Sequence, residues 1–333
     1  MATIYEVSAL AGVSLATVSR VMNGNANVRE STKQKVLEAM ATLDYRPSSV
    51  AQSLASNCTN SVGLLVSELH GPFYGTMMAS IESELRRAGK HCIITAGHSE
   101  EKSEKAGIEF LLSRNCDALI LHVEKLSDEY LLALKEKDIS FVLINRQIDA
   151  IAEQCVTLDN HLGGYQMGQA ILEAGHQKIA YLAGPSWKDD AKERFAGFKQ
   201  ALEEKGVELD PALIFEGNFQ EASGYKGARE LLLSGHEFTA LCCANDEMAA
   251  GAMNAIRDNG LDIPNDVSVV GFDNVSFTQY LFPRLTTIDY PVGDMGQMAA
   301  RLILKNTYKT TTSTIQTLFK PHLVKRQSLQ PQE

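Results

Sequence analysis

Thr17, Ser19 and Arg20 lie close together in the segment LATVSRVM, residues 15–22. Two hydroxyls and a guanidinium within four residues can donate to phosphate oxygens, and the fork of Arg20 matches the two acceptors on a guanine edge. That is the chemistry of recognition. For turnover the chain offers little. It contains no GxGxxG after a strand-like run, no Walker loop, no HExxH and no GxSxG. The nearest approach to the last, Gly12 to Ala16, falls between two short helical patterns and not on a strand-to-helix elbow. The six cysteines (58, 92, 116, 155, 242 and 243) form neither CxxC pairs nor Cys/His metal spacings and read as reduced thiols. No catalytic residue, cofactor or metal site is assigned.

Short helices must position these donors. Thr3-Ile4-Tyr5-Glu6 reads as a capping box. Ile4, Val7 and Ala11 follow at helical spacing with Leu10 beside them, and Gly12 ends the helix. Ser14 is placed to cap a second helix from Leu15 to about Met22. Its Val18, Val21 and Met22 point one way, and Leu15, Ala16, Ser19 and Arg20 the other. A third helix, about 29–43, carries Val36, Leu37, Met40 and Leu43 as its core stripe. Two helices joined by a tight glycine turn form a helix-turn-helix. On pattern alone, a small helical bundle with no nucleic-acid role reads equally well.

The charge distribution permits a nucleic-acid partner without identifying one. The 333 residues carry a net charge of −10, but the first sixty sum to +1 and the acidity sits in the rest. A hydrophobic share of 44% and a charged share of 22% suit a globular protein of about two or three domains. No apolar run reaches the ~18 residues of a membrane span. The first residues lack the basic stretch and apolar core of a secretory signal, so a cytoplasmic location is expected.

From residue 61 the texture becomes α/β. Strand-like runs at 62–66, 91–96, 117–121, 139–144 and 155–158 alternate with helical runs such as 77–88 and 102–113. A second series of strands follows at 178–183, 213–217, 238–243, 266–271 and 285–290, separated by helices near 162–174, 191–205, 222–234 and 246–259. Buried apolar strands alternating with helices imply parallel sheets, here two doubly wound lobes with a ligand cleft at the strand ends between them. The Thr-rich stretch after Thr307 still alternates like a strand.

The wording of the first sixty residues is more specific than its periodicity. The run from Ser8 to Asn23, SxxAGVSxATVSRVxN, closely resembles the DNA-binding head of the lactose/galactose repressor family, as does VxxxTKxKV from Val28. Tyr45-Arg46-Pro47 and the residues to Ser56 are similar to that family's hinge, with Ser48 where the family has Asn. The resemblance continues through GPFYG (71–75), LINR (143–146), ERFAGF (193–198), CANDEMAAGAM (243–253) and VSVVGFDN (267–274), and so covers essentially the whole chain.

The resemblance implies a helix-turn-helix domain at 1–46, a hinge at 47–60 and a two-lobed core at 61–333 like the periplasmic sugar-binding proteins. Lobe one would take about 61–160 and 292–320, and lobe two about 161–291 and 321–330. It implies DNA contacts from Thr3, Ser14, Leu15, Ala16, Thr17, Ser19, Arg20 and Asn23, and from Ser48, Ala51 and Leu54 in the hinge. Leu54 would be a wedge entering base steps from the minor groove. It implies effector contacts from Phe73, Asn145, Arg146, Asp159, Asp190, Arg194, Phe219, Asn245 and Asp273. Carboxylates, amides, a guanidinium fork and aromatic faces suit a sugar.

The expected function is a transcriptional repressor, bound as a homodimer to a pseudo-palindromic operator. Its effector would be a small sugar, galactose or a related saccharide. A β-glucoside or purine effector, or a sugar-binding module with no DNA role, are the alternatives. Residues 320–333 hold no leucine heptads, which favours a dimer over a tetramer.

Overall fold

The computed structural model describes residues 2–22, 28–46, 58–310 and 314–332. The chain divides into two compact units, Met1–Asn60 and Ser61–Glu333.

The first unit holds α1 (Ile4–Ala11), α2 (Leu15–Met22) and α3 (Glu30–Thr42). The capping box forms: the Glu6 amide donates to the Thr3 hydroxyl, and the Glu6 carboxylate accepts from the Thr3 amide at 2.7 Å. Gly12 ends α1 at φ +65°, a left-handed turn that glycine enters without strain. Ser14 caps α2 by accepting the Thr17 amide at 3.2 Å. Val7, Val18, Val21, Val36 and Ala39 form the core, with Met22, Met40 and Leu43 packed at its margin. Leu37 departs from the expected stripe and is 42% exposed. It lies about 100° round the helix from Val36, and a core this narrow takes only the 36, 39/40, 43 row.

The second unit is two lobes, each a six-stranded sheet. Lobe one begins with β1 (Ser61–Val66), α4 (Pro72–Arg87), β2 (His91–Ala96), α5 (Glu101–Ser113), β3 (Ala118–Leu121), α6 (Asp128–Glu136), β4 (Phe141–Ile144) and β5 (Cys155–Leu158). At Asp159 the chain crosses to lobe two. There it forms α7 (Asn160–Glu173), β6 (Ile179–Ala183), α8 (Asp189–Glu203), β7 (Ile214–Glu216), α9 (Glu221–Leu233), β8 (Ala240–Cys243), α10 (Asp246–Asp258), β9 (Ser268–Asp273) and β10 (Thr286–Asp289). A second crossing returns it for α11 (Val292–Asn306) and β11 (Leu318–Phe319), and a third delivers β12 (His322–Val324). The sheet orders are β2-β1-β3-β4-β5-β11 and β7-β6-β8-β9-β10-β12.

Every pairing is parallel except β10 with β12, an antiparallel edge made by the third crossing. The alternation after Thr307 is realised as a strand only at Leu318–Phe319, beside β5, where an edge of the sheet is open to it. Helix α4 starts five residues before the apolar periodicity does, because Pro72 at the first turn is preset for a helix and needs no amide partner.

Glycines set how closely the lobe-two helices approach. A Cβ on Gly164 of α7 would lie 1.8 Å from the Arg194 carbonyl oxygen, and one on Gly197 of α8 would lie 1.9 Å from that of His161. The two backbones therefore touch, and this contact fixes where Arg194 leaves α8.

Candidate ligand cleft and recognition face

In the head, Leu15, Ala16 and Arg20 are exposed on one side of α2 and Ser19 is half-buried, while Val18 and Val21 face the core. Thr3 and Ser14 are committed to helix caps, and Ser14 Oγ also lies 2.9 Å from Thr17 Oγ1. Both hydroxyls remain at the surface. Asn23, Ser48, Ala51 and Leu54 lie outside the described residues.

In the core unit the carboxyl ends of both sheets face one cleft, where open α/β sheets bind ligands. Its inner chamber encloses about 70 Å³. Phe73, Asp190, Arg194, Phe219, Asn245 and Asp273, six of the nine expected effector residues, line it.

Arg194 organises the lobe-two wall. It is 3% exposed. Its Nε donates to Asn160 Oδ1 at 2.9 Å, and its Nη1 to the Ala244 carbonyl at 2.7 Å and to Asp273 Oδ1 at 3.4 Å. The guanidinium lies 3.9 Å from the Phe272 ring centre, a stacked geometry that Arg adopts and Lys does not reproduce. Burial pushes Asp273 well above the usual carboxylate range, against the pull of Arg194 and with Asp246, Glu247 and Asp190 adding to the rise. Phe219 holds φ +69°, and its ring covers Gly184, where a Cβ would meet it at 2.3 Å. Asn245 works as a cap: its Oδ1 accepts the Met248 amide at 3.0 Å and its Nδ2 donates to the Phe219 carbonyl at 2.9 Å.

The other three expected residues sit differently. Asn145 is outside the chamber wall but reaches across the lobes, donating from Nδ2 to Asp190 Oδ2 at 3.2 Å. Arg146 turns away and pairs with Asp128 at 2.6 Å. Asp159 caps α7 by accepting the Leu162 amide at 2.9 Å. Asn145, Arg146, Asp159 and Asp190 line a wider outer chamber of about 820 Å³ that adjoins the inner one through Asp190.

Five lining residues were not anticipated: Tyr74, His122, Glu124, Lys188 and Glu247. Lys188 and Glu124 form a 2.7 Å ion pair between the lobes, each side chain 13% exposed. Burial opposes ionisation of Glu124, yet His122 and Lys188 hold it below the usual carboxylate range. His122 is buried, shares a 3.1 Å hydrogen bond with Ser67, and is pushed toward its neutral form by that burial. The Tyr74 ring meets it edge-on at 5.5 Å. Lys125 of lobe one places its ammonium 3.4 Å from the ring centre of Trp187 in lobe two, so Trp187 bridges the lobes outside the chamber wall. The signal for these residues was positional. His122 and Glu124 follow β3, Lys188 precedes Asp190, and Glu247 follows Asn245-Asp246.

The Glu124–Lys188, Asn145–Asp190 and Lys125–Trp187 contacts all cross the cleft. Beside the chamber, the buried Tyr290 hydroxyl has no hydrogen-bond partner among the described residues, and its ring packs edge-on to Phe73 at 5.0 Å.

Residues 3–48 match the family model described as bacterial regulatory proteins of the lacI family, and residues 59–326 match periplasmic binding proteins and the sugar-binding domain of the LacI family. The chain is 38% identical over 329 residues to the HTH-type transcriptional regulator GalR of Escherichia coli K12, covering 99% of this chain and 96% of that one. It is 34% identical over 330 residues to the HTH-type transcriptional repressor PurR of Mannheimia succiniciproducens, covering 99% of each. Among solved structures, the lac repressor dimer bound to operator and the anti-inducer ONPF superimposes with a TM-score of 0.87 at 30% identity, over 99% of each chain.

Proposed function

This chain belongs to the LacI family of bacterial regulatory proteins, and on that premise we propose that a small saccharide, galactose or a close relative, binds in its cleft and sets its affinity for operator DNA. The chain is a DNA-binding transcriptional repressor of that family with a sugar-binding domain, and its relatives are regulators and not enzymes. Among the described residues no helix is long and apolar enough to cross a membrane. We read it as a cytoplasmic homodimer on a pseudo-palindromic operator, whose half-sites lie about one helical turn apart.

The observation that carries the effector reading is the inner chamber itself. Its two walls come from opposite lobes, and its contents are aromatic faces, carboxylates, an amide and a buried guanidinium. Phe73 and Phe219 offer faces to sugar C–H surfaces. Asp190, Asp273 and Arg194 offer acceptors and a donor fork to vicinal hydroxyls, and a ligand oxygen would satisfy the Tyr290 hydroxyl. Regulation follows from linkage: a ligand that parts the cross-lobe contacts favours one lobe arrangement over another, and only that difference can be transmitted. In the head, Arg20 would read base edges or grip phosphate. Leu15 and Ala16 would contact thymine methyls, and the hinge leucine, Leu54, would act as a minor-groove wedge.

Thermal unfolding against galactose, glucose, fucose, β-glycosides, ribose, adenine and guanine tests the effector. A ligand at 100 times its Kd stabilises by about 2.7 kcal/mol, a rise of a few degrees. A shift with galactose or a close relative is expected. A shift confined to a purine base would replace the saccharide by a nucleobase, and no shift with any of them would remove the assignment.

A further inference from the structure

We propose that the effector of this cleft carries a protonated amino group, so that the site prefers an amino sugar to the parent neutral hexose and rejects a sugar phosphate. This rests on the saccharide reading above and narrows it. Four carboxylates face the inner chamber, Glu124, Asp190, Glu247 and Asp273, against two cations, Lys188 and Arg194. Both cations are already engaged, Lys188 with Glu124 at 2.7 Å and Arg194 with Asp273 at 3.4 Å. Asp190 accepts from Asn145 and from the Ala191 amide. Glu247 has no hydrogen bond or ion pair among the described residues. It leans from lobe two toward lobe one, where a Cβ on Gly71 would come within 3.1 Å of its Oε1.

Burial and Glu221 raise Glu247 to about 7. Burial raises the Tyr74 phenol, with Glu124, Asp190 and Glu68 raising it further. The adjoining outer chamber is lined by Asp128, Glu129, Asp159, Asp189 and Glu193, with Asp128 paired to Arg146 and Asp189 to Lys192. An acidic rim concentrates cations and repels anions. The site also already houses an ammonium of the chain's own. Lys188 Nζ sits against Glu124, 5.3 Å from the Trp187 ring centre and 5.4 Å from that of Phe219, a setting that favours a cation through both charge and ring faces. A ligand ammonium facing the part-buried Glu247 would favour its ionised form and pair with it, and charge-assisted hydrogen bonds are roughly twice as strong as neutral ones.

Calorimetric titration of the full chain at pH 7 with galactosamine, galactose, glucosamine, glucose and galactose 6-phosphate decides the matter. The expected result is at least one amino sugar binding about tenfold or more tightly than its parent hexose, a difference of about 1.4 kcal/mol, with no detectable binding of the phosphate. Its affinity should fall as salt is raised while that of the neutral sugar holds. In Glu247→Gln the preference should shrink to about threefold or less, and the salt response, read on the unaltered chain, stands even where that variant folds poorly. Equal or tighter binding of the neutral hexose overturns the amino-group inference and leaves the saccharide reading in place. Binding of none of these sugars, with a purine or another ligand binding instead, overturns both.

Discussion

In the head, five small aliphatic side chains, Val7, Val18, Val21, Val36 and Ala39, carry the fold, and the candidate contact residues Leu15, Ala16 and Arg20 stand outside it in solvent. In the cleft, Arg194 is 3% exposed and its guanidinium is bonded to the chain's own Asn160, Ala244 and Asp273. Recognition in the head is added to a finished fold. In the cleft, the groups that would bind are also the groups that hold lobe two together and touch lobe one. A surface built the first way can change what it reads without unfolding. A chamber built the second way couples binding to conformation, because a ligand there meets groups that already hold the fold.

The sharpest way to break this contrast is Arg194→Ala. Removing the guanidinium leaves Asp273 buried without its partner, which costs about 3–5 kcal/mol. Thermal unfolding of the unliganded variant should fall by several degrees and its ligand-induced shift should vanish; an unchanged melting temperature would mean that Arg194 is not structural. Arg20→Ala should do the reverse. Operator affinity should drop by about 1–3 kcal/mol with global stability unchanged within about 0.5 kcal/mol, and gel-shift titration beside thermal unfolding reads both.

Thr3→Ala tests whether the head stands on local capping. A loss of about 1 kcal/mol is expected, seen as faster hydrogen exchange in α1 and no change in the core. The cleft side of the contrast also predicts a pH slope. Asp246 is buried, accepts from Thr287 and the Val275 amide, and is raised by burial to about 7. Its folded form holds a proton that the unfolded chain releases above about pH 4. Its contribution to stability is therefore present below the unfolded pKa and is lost as pH rises toward 7. Denaturant midpoints from pH 5 to 8 should fall with pH, and less steeply in Asp246→Asn; parallel slopes for the two proteins would remove Asp246 as the cause.

What was legible in the chain follows the same division. The head is written locally: Thr3 with Glu6, Gly12, and the Val18/Val21 face can be read within a dozen residues. Leu37 escaped because choosing among neighbouring apolar positions of α3 needs the partner helices in place. Most strands of the two lobes were legible from apolar runs, but the antiparallel edge β12 was not, since three residues after a crossover carry no periodicity. In the cleft, Phe73, Asp190, Arg194, Phe219, Asn245 and Asp273, six of the expected effector residues, line one chamber. Arg146 and Asp159 stand apart because each meets a local partner first, Asp128 and the start of α7. Glu124, Lys188 and Glu247 were missed because a charged residue beside a strand end reads as solvated surface, and only the closing of one lobe on the other buries it.

We propose that occupancy of the cleft sets what the head binds. Operator DNA recovered by selection from random duplexes with the full chain should be titrated with the same protein, with and without the sugar that raises its melting temperature. This sugar should change operator affinity by about fivefold or more, a coupling of about 1 kcal/mol or above, and Arg194→Lys should abolish the change. A sugar that binds tightly and leaves operator affinity the same would contradict it, and would make the two units neighbours on one chain with no traffic between them.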